Sequence, residues 1–236
     1  MKISNLFNSG KTVFSFEVFP PKKTSPIESV YGKLEEISAL KPDFISVTYG
    51  AGGNGSKNRT CEIASKIKRD FGVESVAHLT CINSTKADID RNLALFKENG
   101  IENILALRGD IPRDFQFPAE QYFEHAYQLV NEIRTLGDFC IGGACYPEVH
   151  PESKNRVEDL EHLKQKVDCG VDFLTTQMFF DNTVFYNFRE MCAIKGIDVP
   201  LIAGIMPITK ASQLERTVKL SGCSLPTKFV KIVERF

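Results

Sequence analysis

The sequence predicts an α/β protein of the (β/α)8 TIM-type barrel class, lacking the last βα unit in this chain. Three observations carry that expectation. Short apolar runs alternate with segments of helical periodicity. The runs begin near residues 13, 43, 75, 103, 140, 173 and 201, so one βα unit recurs every 28 to 37 residues. Polar side chains stand where consecutive runs end, the place at which barrels gather their chemistry. An open doubly wound sheet would share the first two features. The regular repeat, without linker or low-complexity stretch, favours one barrel domain over residues 1–236 with seven βα units.

Val13–Phe19 reads as the first strand, closed by Pro20 and Pro21, with Val30, Leu34, Ile37 and Leu40 at helical spacing behind it. Asp43–Thr48 is the second strand, followed by a glycine-rich loop and a helix carrying Ile63, Ile67 and Phe71. Ser75–Leu79 is the third, with Ile89, Leu93 and Phe96 on its helix. Asn103–Leu107, apolar at nearly every position, reads as a strand buried on both faces that ends abruptly in Arg108, Gly109 and Asp110. Its helix carries Phe123, Tyr127, Val130 and Ile133. Cys140–Cys145 is the fifth strand, backed by Val157, Leu160, Leu163 and Val167. Phe173–Thr176 is the sixth, backed by Phe185, Phe188 and Met191, and Leu201–Ile205 the seventh, with a weaker helix around Gln213–Leu220. Phe229, Ile232, Val233 and Phe236 suggest one more helix, and no eighth strand is read.

Composition narrows the function classes. Hydrophobic content of 42%, charged content of 25% and a net charge of −1 are those of an ordinary globular protein, with no pull toward nucleic acid or anionic membrane. No apolar run approaches the ~20 residues that span a bilayer, and Met1–Asn5 opens no secretory signal. Seven cysteines without a Cys-x-x-Cys pair argue against a disulfide scaffold or a metal site. They fit small buried hydrophobes in a reducing cytoplasm.

The strand ends supply Glu17, Thr48 with Tyr49, His78 with Thr80, Arg108 with Asp110, Tyr146 with His150, and Gln177. Glu17 sits among Phe14, Phe16, Val18 and Phe19, where partial burial would raise its proton affinity and suit it to general acid work. A carboxylate facing water on an edge strand is the alternative. Gly50–Gly55 fits G-x-G-x-x-G between a strand and a helix, a pattern of dinucleotide-binding turns. The next strand closes on His78, Leu79 and Thr80 rather than on the acidic residue that pattern requires, so a mobile loop fits better than a Rossmann-type NAD dehydrogenase. His150, Arg156 and Lys166 could meet phosphate, and Asp159 could accept from a hydroxyl. Asp159, His162 and Lys166 share one helix face, which could equally be solvated.

These blocks together resemble the methylenetetrahydrofolate reductase family. The likeness is carried by Ser15-Phe16-Glu17-Val18-Phe19-Pro20-Pro21-Lys22, Ser46-Val47-Thr48-Tyr49-Gly50-Ala51, His78-Leu79-Thr80-Cys81 and Leu105-Ala106-Leu107-Arg108-Gly109-Asp110. Tyr146-Pro147-Glu148-Val149-His150-Pro151-Glu152, Gln177-Met178-Phe179-Phe180-Asp181 and Gly204-Ile205-Met206-Pro207 continue it in order. The resemblance implies a (β/α)8 flavoprotein that reduces 5,10-methylenetetrahydrofolate to 5-methyltetrahydrofolate, with a reduced nicotinamide (NADH or NADPH) and the folate taking turns at FAD. It implies that Glu17 is the general acid opening the folate's five-membered ring and that Asp110 acts between flavin and pterin. Thr48, Tyr49, Ala51, His78, Arg108, Gly109, Asp110, Ala144, Tyr146, His150, Asp159 and Lys166 would hold FAD. Glu17, Gln177 and Gln213 would bind substrate. The position where some members pack an aromatic on the folate reads Thr217. With the last unit absent, an FAD-binding barrel that needs a partner subunit is the alternative, and a homo-oligomer is a further expectation.

Overall fold

The chain, seen in a computed structural model, is described over residues 1–22, 24–49, 57–82, 84–111 and 123–235. Its strands are β1 Ser15–Val18, β2 Phe44–Val47, β3 Glu74–Thr80, β4 Asn103–Leu107, β5 Cys140–Cys145, β6 Phe173–Thr176 and β7 Leu201–Ile202. Its helices are α1 Tyr31–Ser38, α2 Lys57–Phe71, α3 Lys86–Glu98, α4 Ala126–Leu136, α5 Arg156–Asp168, α6 Asn182–Ile194, α7 Leu214–Ser221 and α8 Thr227–Val233. The sheet order is the chain order, β1 to β7, as the barrel class predicts. The chain divides into two compact units, Met1–Gly142 and Gly143–Phe236.

In the first unit the pleat sorts side chains cleanly. Ile45, Val47, Ala77, Leu79, Ile104 and Ala106 alternate along β2, β3 and β4 and are all completely buried. The helices α2 and α4 pack on these strands. Each Val, Ile or Leu so buried contributes roughly 1.5–3 kcal/mol. The opposite face carries the register row Glu17, Ser46, Val76 and Asn103. Asn103 is fully buried and fully used. Its Oδ1 accepts from Ile3 N–H at 2.8 Å, and its Nδ2 donates to the carbonyls of Met1 and Ser75 at 3.1 Å. A 3-10 helix at Ile3–Ser9 is thereby tied beneath the strands.

Helix starts follow local chemistry. Thr85 caps α3 in a reciprocal box with Asp88, whose carboxylate accepts from Thr85 N–H at 3.0 Å. Asn155 caps α5 by accepting from the N–H groups of Val157 and Glu158 at 3.0 Å, and Asp181 caps α6 by accepting from Thr183 N–H at 2.8 Å. In the second unit β6 pairs with β7 in parallel.

Several expected elements are shorter in the structure. The first strand covers Ser15–Val18 rather than Val13–Phe19. The seventh stops at Ile202 because the chain turns onto β6. Gly204 N–H donates to Thr176 Oγ1 at 2.9 Å, and a Cβ on Gly204 would lie 2.2 Å from the Thr176 carbonyl oxygen. Phe123 precedes α4, and Leu40 lies beyond α1 and is 64% exposed. Val157, in the first turn of α5, faces water at 65% exposure, while Leu160 and Leu163 further along the helix are buried. Six of the seven cysteines are buried, Cys169 being the partly exposed one, and all seven are free thiols. Among the described residues no helix is long and apolar enough to cross a membrane.

Candidate active site

In the first unit, Glu17 lies near the end of β1 opposite Ser46 of β2. Its carboxyl is raised above the usual carboxylate range, chiefly by burial of its charged form, with the Ser46 hydroxyl pulling the other way. The side chain remains 46% open on its outer side. Oε2 lies 3.6 Å from Nε2 of His78 on β3. His78 is almost completely buried, and burial lowers it to a pKa of about 4, so at neutral pH the imidazole is uncharged. Among the described residues its Nε2 has no hydrogen-bond partner.

Glu17 and His78 meet across two strands although β-ladder register pairs Glu17, through Ser46, with Val76. The barrel geometry accounts for the offset. A shear of about eight residues over eight strands advances a layer by about one residue per strand, hence about two from β1 to β3. Glu17 and His78 are thus neighbours in one layer.

Thr48 N–H continues the β1–β2 pairing by donating to the Val18 carbonyl at 3.0 Å, and the Thr48 carbonyl accepts from Thr60 of α2 at 3.0 Å. The Tyr49 hydroxyl is buried beside the Asn92 amide of α3, with neither group in a hydrogen bond of full geometry. Burial raises the phenol's proton affinity well above its ordinary value. Arg108 follows β4 and turns its Nε toward the Gly109 carbonyl at 3.3 Å. Gly109 has φ +87°, and a Cβ there would lie 2.6 Å from Ile82 Cγ2. Only glycine fits that turn, which leaves Asp110 exposed at the strand end. Ala51 and the glycine run 50–55 lie outside the described residues.

In the second unit Lys166 of α5 runs under β5 and donates from Nζ to the Ala144 carbonyl at 2.5 Å. Burial lowers the ammonium's proton affinity, while Cys145 and Asp159 oppose that effect. Gly143 makes the room: a Cβ there would lie 3.3 Å from both Lys166 Cε and Leu174 Cδ2. Asp159 Oδ1 accepts from Ser153 Oγ at 3.0 Å. His162, on the same helix, is exposed, so the expected three-residue face is divided between interior and solvent. Tyr146 and His150 meet edge to face at 4.6 Å across a loop in which Val149 takes φ +80°. A β-branched residue in that region stores roughly 1–3 kcal/mol of strain. Glu152 N–H donates to His150 Nδ1 at 3.1 Å, which leaves Nε2 as the donor of the neutral ring. Gln177 N–H donates to the Cys145 carbonyl at 2.7 Å. Gln213 turns its amide oxygen to the N–H groups of Thr209 and Lys210 at 2.8 and 3.0 Å, a helix-start role. Thr217 is buried.

Three contributors escaped sequence reasoning. Ser46 signalled itself only as a small polar residue inside an apolar strand. Asn92 sits on a buried helix face where a leucine would be expected. Arg59 Nη1 donates to the carbonyls of Pro21 and Lys22 at 2.9 and 2.7 Å, holding the turn after Glu17.

The methylenetetrahydrofolate reductase family model matches residues 2–236. The chain belongs to that family. It is 39% identical over 217 residues to 5,10-methylenetetrahydrofolate reductase of Pectobacterium carotovorum subsp. carotovorum, covering 92% of this chain and 71% of the relative. It is 41% identical over 228 residues to methylenetetrahydrofolate reductase 2 of Saccharomyces cerevisiae, covering 94% of this chain and 38% of the relative. Among solved structures, an uncharacterized protein from Clostridium thermocellum that binds two copies of 5-methyl-5,6,7,8-tetrahydrofolic acid superposes with a TM-score of 0.68 at 17% identity. That match covers all of this chain and 80% of the other, a likeness of fold. Family membership makes this methylenetetrahydrofolate reductase relative an oxidoreductase.

Proposed function

We propose that the chain reduces 5,10-methylenetetrahydrofolate to 5-methyltetrahydrofolate, with FAD as resident cofactor and NADH or NADPH as electron donor. The observation that carries this is Glu17, a carboxyl of raised proton affinity near the end of β1 in a chain of this family. Bound FAD would supply hydride transfer.

The residues in each unit fit such a cofactor. In the first, Thr48, Tyr49, Arg108, Gly109 and Asp110 stand at strand ends with His78 on β3, and the buried Tyr49 hydroxyl is without a hydrogen-bond partner among the described residues. In the second, the Lys166 ammonium donates to the Ala144 carbonyl and feels the charge of Asp159, and Tyr146 packs on a His150 whose Nε2 is the donor. Cations and N–H donors of this kind suit phosphate oxygens, and an aspartate suits a ribose hydroxyl. Ala51 completes the set that the family resemblance assigns.

The protein's own part is protonation and placement. Glu17, its proton affinity raised by burial, delivers a proton to the folate, opening the five-membered ring. Ser46 then donates to the carboxylate left behind, which limits the cost of its charge. Asp110 and Gln177 orient the pterin, with Gln177 also meeting the nicotinamide. Gln213 binds substrate through its NH2, its amide oxygen being engaged in capping. The chain acts in the cytoplasm, as one domain, alone or as a homo-oligomer or with a partner subunit.

Glu17→Gln tests the assignment. Flavin should remain bound while folate reduction falls by at least about 100-fold, the usual worth of a general acid. Reduction at the wild-type rate would remove Glu17 from the role.

A further inference from the structure

We propose that Glu17 and His78 act as one proton-holding pair, in which the Glu17 carboxyl donates to a neutral His78 at Nε2. This rests on the general acid reading of Glu17 and names the group that positions the acid's proton. His78 is then a positioning residue.

The geometry is specific. His78 Nε2 is buried without a hydrogen-bond partner, a state that costs free energy unless something completes it. Glu17 Oε2 stands 3.6 Å away. That gap is longer than a hydrogen bond and too short to admit a water, so a small side-chain rotation closes it. The two residues belong to one layer of the barrel, on strands whose backbones are fixed by the intervening β2. The approach is therefore built by the fold and not by a mobile loop.

Four charge states are open to the pair, and the doubly protonated one puts a cation on an imidazole that burial keeps neutral. An ion pair would place two charges in a site where burial penalises both. A carboxylate beside a neutral imidazole either sets two acceptors against each other or, in the Nε2–H tautomer, keeps a full charge that burial penalises. One proton shared from Oε2 to Nε2 satisfies both atoms and leaves no charge. Ser46 from β2 completes the surroundings of Glu17, and burial alone accounts for His78. Arg108 and Asp110, the charged residues after β4, contribute to neither shift.

A consequence follows for the acid. When Glu17 gives its proton to the folate, the new carboxylate keeps the Ser46 hydroxyl but faces an imidazole with no proton to offer. Recapture of a proton from water is favoured, and the acid is restored for the next turnover. The same lone pair selects the protonated carboxyl before substrate arrives.

Histidine-selective 15N NMR tests the pair without turnover. The chain has four histidines, so His78→Gln identifies the His78 signals. The expected wild-type spectrum is a neutral Nδ1–H imidazole whose Nε2 resonance responds as Glu17 titrates. In Glu17→Ala the Nε2 signal should move to that of a free unprotonated nitrogen. In the nearly isosteric Glu17→Gln, which guards against a folding defect, the amide should keep Nε2 hydrogen-bonded while the pH response disappears. An Nε2–H tautomer, or an Nε2 signal indifferent to both variants, would overturn the pair. The outcome is separate from the functional reading. A protein that reduces folate with an uncoupled His78 keeps the reading and loses the pair, and a coupled His78 without folate reduction does the reverse.

Discussion

Glu17 on β1 and His78 on β3 occupy one layer of the barrel two residues out of ladder register, with Oε2 and Nε2 3.6 Å apart. Their environments push them in opposite directions. Burial raises Glu17 and lowers His78, so both favour the uncharged form. Both shifts weaken the charged form, which is the direction the general acid role proposed for Glu17 needs.

The buried imidazole predicts acid sensitivity. In the unfolded chain His78 takes up a proton as pH falls through about 6.5, whereas in the folded protein it resists until about 4. Between those values the unfolded state binds more protons, so stability falls as the solution is acidified. The loss attributable to His78 approaches on the order of 3 kcal/mol below that window. Urea unfolding at a series of pH values should show this slope in the wild type and a shallower one in His78→Gln. Equal slopes would show that His78 titrates normally.

Gly109 should not tolerate a side chain. Its φ of +87° and the 2.6 Å that would separate an added Cβ from Ile82 Cγ2 combine backbone strain with overlap. Gly109→Ala should cost about 2 kcal/mol or more of stability and displace Arg108 and Asp110 from the end of β4. Thermal unfolding checks the first effect, and loss of flavin retention checks the second.

Lys166 offers a cleaner separation of folding from binding. Its ammonium is desolvated beneath β5, where a methionine of similar length could follow the same path. Replacing the ammonium alone leaves the Ala144 carbonyl without its donor. Lys166→Met should therefore fold with a loss of about 1–3 kcal/mol of stability. Its FAD dissociation constant should rise by roughly tenfold or more, the worth of one charged hydrogen bond. Unchanged flavin affinity would make Lys166 a support for Ala144 alone.

Much of the fold was legible because each strand is a short apolar run with a periodic helix behind it, and β5 and β6 match their expected limits. The seventh strand is shorter than its apolar run because its end depends on how closely Gly204 approaches Thr176, a contact between distant stretches of the chain that no local pattern encodes. The 3-10 helix at Ile3–Ser9 lacks periodicity and is held by the distant Asn103. At the site, Glu17 was legible from its apolar neighbours. Its pairing with His78 was not, since that follows from barrel shear and not from spacing along the chain. The left-handed Val149 was equally hidden, because a β-branched residue is the least expected occupant of that conformation.

The most direct test of the central claim is the visible absorption spectrum of the FAD-loaded protein under anaerobic conditions. Addition of NADH or NADPH should bleach the flavin bands, and 5,10-methylenetetrahydrofolate should then restore them with formation of 5-methyltetrahydrofolate. A protein that takes up no FAD, or whose bleached flavin is not reoxidised by the folate, would contradict the assignment.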